Sequence, residues 1–92
     1  MIYKKKDNVV ARRVVGEMLL VPIRGTLADL QRVFVLEGAG EFIWDQLDGA
    51  RTLDQIRKAM ATEFEVAPEQ AARDLEEFIA ELRQRELIVE VS

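Results

Sequence analysis

Two hydrophobic periods divide the chain. Up to Leu36 the apolar positions fall in short runs rich in β-branched residues, and beyond Gly38 they recur about every 3.6 residues. Residues 9–15 read as a first strand and 18–23 as a second, with Gly16-Glu17 between them as a hairpin turn signal. Pro22 cannot donate to a ladder, so it belongs at an edge or near a strand end. Residues 24–30, opened by Gly25, read as a loop. Residues 31–36 form a third strand around Val33-Phe34-Val35, with Val33 and Val35 on one side and Phe34 and Leu36 on the other. That strand is apolar on both faces, so helices can cover only half of it. The second face calls for internal packing, a second copy or a visiting peptide.

In the second half, Phe42, Ile43 and Leu47 mark the inner face of a short helix over 39–47. Asp48-Gly49 stops it, Gly49 suiting the left-handed conformation at a helix end. Thr52 then reads as an N-cap, with Gln55 completing a capping box. Leu53, Ile56, Met60 and Phe64 stripe a second helix. Pro68 fits the first turn of a third helix, where its missing N–H leaves nothing unpaired. Along that helix Ala71, Leu75, Phe78, Ile79 and Leu82 form the apolar stripe, and Glu69/Arg73 and Glu81/Arg85 are i,i+4 pairs. Residues 87–91 read as a last strand. The expected fold class is therefore α+β, winged helix-turn-helix-like: three N-terminal β-strands, three α-helices and a short C-terminal strand.

Composition narrows the function. Ninety-two residues make one domain with one modest core. The chain has no Cys and no His, and its only Ser is Ser92. Thiolate and imidazole metal sites and the Ser, Cys and His nucleophile schemes are thereby excluded. The expectation is a non-enzymatic binder without cofactor or metal. No apolar run approaches the ~20 residues of a spanning helix, and no stretch resembles an export signal, which makes the cytoplasm the default and leaves no membrane role. The net charge of −4 is unevenly placed. Lys4, Lys5, Lys6, Arg12 and Arg13 face only Asp7 within residues 1–15, a balance of +4 that leaves −8 on the remainder. Residues 1–8 read as a basic, flexible terminus.

Other constellations yield less. Gly38-Ala39-Gly40 lacks the third glycine of a dinucleotide loop, since Ile43 stands in its place, and reads as a tight strand-to-helix joint. Asp45, Asp48 and Asp54 do not have calcium-loop spacing. Glu76, Glu77 and Glu81 read as a solvated acidic face. Trp44 is a core residue or, alternatively, a binding hot spot. A DNA-reading third helix needs cations, but residues 68–86 carry Glu69, Asp74, Glu76, Glu77, Glu81 and Glu86 against Arg73, Arg83 and Arg85. No nucleic-acid partner is expected there.

Taken in order, Phe34-Val35-Leu36, Ile43-Trp44, Leu47-Asp48-Gly49, Arg51-Thr52, Pro68, Asp74, Phe78, Leu82 and Leu87-Ile88 resemble the PqqD family, the pyrroloquinoline quinone biosynthesis protein D type. The resemblance covers about residues 9–90 and implies a single winged-helix-like domain over 9–92. It further implies a peptide chaperone, or RiPP precursor-peptide recognition element. Such a protein binds the leader segment of a ribosomally made precursor by β-strand addition. It presents that segment to a modifying enzyme, a radical S-adenosylmethionine protein or another. Apart from the resemblance, the residues leave a monomer and a homodimer both open. Carried over, Arg32, Val33, Phe34, Val35 and Leu36 line the strand side of a peptide groove, and Asp74, Glu77, Phe78 and Glu81 line its helix side. Glu37 stands where the family usually has Asn. Glu86 stands where it usually has Gly, so the third helix is expected to run longer or to end differently. The 24–30 loop resembles a PqqD-like subset rather than the pyrroloquinoline quinone proteins proper. Two alternatives remain beside this reading: a nucleic-acid-binding winged helix using the basic terminus, and a homodimeric scaffold whose third strand pairs with itself.

Overall fold

The computed structural model describes residues 1–91; Ser92 lies outside them. Strand β2 (Val9–Val14) and strand β3 (Glu17–Arg24) form the expected hairpin, in register from Val9 opposite Pro22 to Val14 opposite Glu17. The two residues of the turn are Val15 and Gly16, both with positive φ (49° and 83°), the geometry whose twist matches the flanking strands. Along the other side of β3 run two short strands. Strand β4 (Leu27–Ala28) folds back on Ile23 and Arg24, so the 24–30 segment is in part a second tight hairpin rather than a plain loop. Strand β5 (Phe34–Leu36) pairs with Met18–Leu20. The expected third strand is thus shorter than 31–36. A 3-10 turn, Leu30–Arg32, precedes it, started by the Asp29 carboxylate accepting from the Gln31 N–H at 3.3 Å.

Three helices follow: α1 (Gly40–Gln46), α2 (Leu53–Phe64) and α3 (Pro68–Gln84). The capping box at Thr52 and Gln55 is present in both directions, at 3.1 and 2.9 Å. On α3 the buried stripe is Ala71, Leu75, Ile79 and Leu82, while Phe78 lies off it, half-buried. Of the two expected charge pairs on this helix, Glu81 and Arg85 meet at 3.5 Å, whereas Arg73 instead donates to the Gln70 side chain at 2.9 Å. Trp44 is a core residue, 3% exposed, with the Lys5 ammonium over its ring.

The chain ends build a second sheet. Residues 1–8, expected as a flexible terminus, contain strand β1 (Ile2–Lys5). It lies between strand β6 (Asp48–Thr52) and strand β7 (Ile88–Val91), antiparallel to both. Tyr3 is the reason this segment stays in place: it is 2% exposed and packs in the core with Leu47, Leu87 and Ile88. The Asp48-Gly49 stop holds as expected, yet it also opens β6. The Asp48 carboxylate accepts from the Ala50 and Arg51 N–H groups at 2.9 and 3.0 Å, and Gly49 takes φ 80° against Lys4 of β1.

Helix α3 does not run on past its expected end. It stops at Gln84, and Glu86 itself adopts the left-handed conformation at φ 58°. The Glu86 N–H donates to Arg83 C=O at 3.0 Å and the Leu87 N–H to Leu82 C=O at 2.9 Å. Those bonds are the paired closure of a Schellman motif, with buried Leu82 and Leu87 as its apolar contact. Tertiary packing of Leu87 therefore overrides the steric preference of Glu86.

Candidate peptide-binding site

The β2–β3–β4/β5 sheet has two edges of different character. The β2 edge carries Arg12 and Arg13, charges of the kind that discourage further pairing. The β5 edge has only Phe34, Val35 and Leu36, and among the described residues β5 pairs with β3 alone. An uncharged, apolar edge with unpaired backbone groups is a template for one more strand.

Helix α3 runs beside this edge. The Phe34 and Phe78 ring centroids are 6.2 Å apart, and the Arg85 guanidinium lies over the Phe34 ring at 4.8 Å. Phe78 is held by Gly40 at the start of α1: a Cβ there would come within 3.2 Å of its ring, so this glycine makes room for the groove wall. Val33, Phe34, Val35, Glu37, Phe78, Glu81 and Arg85 together line a groove of about 440 Å³. A second depression, sharing Glu81 and Arg85, extends along α3 over Glu77, Ala80 and Gln84.

The structure brings most of the expected site residues together and separates a few. Val33, Phe34, Val35, Phe78 and Glu81 share the groove, and Glu77 lines its extension. Leu36 does not reach it: it is 7% exposed and belongs to the core, on the same strand face as Phe34 but beside Gly40 at the start of α1, which covers it. Arg32 ends the 3-10 turn and lies 3.8 Å from Glu86, at the groove's end rather than in its wall. Asp74 lies one helical turn before Phe78, outside both depressions, and accepts from the Gln70 amide at 2.8 Å. Four lining residues lie outside the expected set: Glu37, Ala80, Gln84 and Arg85. Arg85 was legible as the position seven after Phe78 and four after Glu81, which places it on the same helix face.

Among the described residues no cluster of His, Cys, Asp or Glu is arranged to hold a metal ion, and no buried polar side-chain atom lacks a partner. No helix is long and apolar enough to cross a membrane.

Comparison with known proteins bears on the same region. The solved structure of TbiB1 in complex with the TbiA(beta) leader peptide matches with a TM-score of 0.77 and 26% identity, over 97% of this chain and 98% of that one. No curated protein matches the sequence. The family model described as Coenzyme PQQ synthesis protein D matches residues 17–88, which span β3 through the start of β7 and include the whole groove. With most of its length matched, the chain belongs to the PqqD family.

Proposed function

We propose that this protein binds the leader segment of a ribosomally made precursor peptide and presents it to a peptide-modifying enzyme, without doing chemistry itself. The observation that carries this reading is the open, uncharged edge of β5 facing α3 across a groove walled by Phe34 and Phe78. A peptide added there gains main-chain hydrogen bonds from β5, and its alternate side chains fall toward α3 and toward solvent. Support comes from the leader peptide in the matching TbiB1 structure and from membership of the PqqD family. A radical S-adenosylmethionine protein is the partner enzyme that the family resemblance favours. Nucleic-acid binding is disfavoured, since the helix that would meet phosphate is acidic.

The test is an NMR titration of labelled protein with the short peptide encoded beside its gene. Amide shifts concentrated at 33–37 and along 77–85 are expected. The Phe34→Asp variant, checked for native dispersion, should lose them. Shifts confined to residues 4–13, or binding that survives Phe34→Asp in a folded protein, would place the partner elsewhere.

A further inference from the structure

The groove is electrically polarised along its length. Beyond Arg85, at the Arg32 end of β5, lies a separate cavity of about 170 Å³. Lys6, Arg24, Arg32 and Arg85 converge on it against two carboxylates, Asp29 and Glu86. These cations come from the β1–β2 turn, the end of β3, the 3-10 turn and the end of α3, so local sequence does not group them. The two acids are already engaged: Asp29 accepts from Gln31 N–H, and Glu86 faces Arg32. Arg85 is shared with Glu81 and the Phe34 ring. Among the described residues no ion pair holds Lys6 or Arg24. Like charges gathered in one recess repel each other, and an anion between them removes that cost. The opposite end of the groove is acidic, with Glu37 at the close of β5 and Glu77 on α3, two turns before Arg85.

We infer that this site selects its peptide by charge order: an Asp or Glu side chain of the bound strand enters the basic cavity beside Arg32. A Lys or Arg of the same strand lies against Glu37 and Glu77. Arg32 and Glu37 mark the two ends, five positions apart, so along an added strand the two peptide charges are separated by about five residues. This rests on the peptide-binding reading above and adds to it a rule for which peptides bind.

A displayed library of random dodecapeptides, selected on the full chain and on the Lys6→Gln/Arg24→Gln double variant, tests it. Both substitutions are at the surface of the cavity, and circular dichroism confirms the fold. The expected result is enrichment of Asp or Glu about five positions from Lys or Arg on the native chain, with the acidic preference lost on the variant. In fluorescence polarisation, Glu→Gln in a selected peptide should weaken binding about tenfold to the native chain and less than twofold to the variant. Binders that show no acidic preference overturn the charge rule and leave peptide binding standing. Failure to enrich any binder overturns both.

Discussion

Glu86 is held where a residue with a Cβ is uncomfortable, and replacing it by glycine should stabilise the protein. Its φ is 58°, and the left-handed region costs an L-residue roughly 1–2 kcal/mol. Glycine removes that cost and keeps both closing bonds, Glu86 N–H to Arg83 C=O and Leu87 N–H to Leu82 C=O, since they are main-chain. Two terms oppose the gain. Glycine loses more freedom on folding, about 0.5–1 kcal/mol. The Arg32–Glu86 pair also disappears, but at 3.8 Å and with both side chains about half exposed or more it is worth only a few tenths. The net is about 0.5 kcal/mol in favour of Glu86→Gly, a rise in Tm of roughly 3 °C for a domain of this size. Calorimetry with Glu86→Ala as control checks the reasoning, because alanine keeps the Cβ and loses only the charge. A gain for Glu86→Gly with none for Glu86→Ala is expected. Equal gains in both variants would refute the backbone argument and assign the effect to charge.

Val15 presents a similar strain without a structural reason: it is β-branched, has φ 49° and is 96% exposed at the tip of the β2–β3 hairpin. Val15→Asn, a residue that tolerates this conformation, should raise the unfolding free energy measured in urea by about 1 kcal/mol. Hydrogen bonds from the Ala50 and Arg51 N–H groups, chiefly, hold the Asp48 carboxyl below its ordinary value. Its contribution is therefore fully present above pH 3.8, the ordinary aspartate value, and is lost as pH falls through the lowered folded value. The stability difference between the native chain and Asp48→Ala, followed by urea titration, should be constant near neutrality and shrink below that pH. Phe78→Ala removes a half-buried groove wall, so it should cost about 2 kcal/mol of stability, leave the protein folded, and abolish the peptide-induced shifts at residues 33–37.

Local physics made much of this protein legible in its residues. The capping box, the Asp48-Gly49 stop, Pro68 at the start of α3 and the α+β order stand in the structure, and so do the apolar stripes apart from Phe64 and Phe78, which lie at their margins. The residues by themselves said only that Val33 to Leu36 are apolar on both faces and need a second cover; the groove positions came from the family resemblance. What sequence alone did not decide is everything set by distant partners. Strand β1 hides inside a lysine run because only Tyr3 faces the core and its partners lie at residues 48–52 and 88–91. Leu36 and Phe34 share one face of β5, yet the start of α1 covers Leu36 and leaves Phe34 in the groove wall against Phe78. The basic cavity joins positions 6, 24, 32 and 85, which only the closed fold brings together. Helix α3 ends at Gln84 because burial of Leu87 against the core outweighs the strain at Glu86. Periodicity and capping are short-range and therefore written locally. Edges, groove walls and charge convergence belong to tertiary structure, because each exists only where separated segments meet.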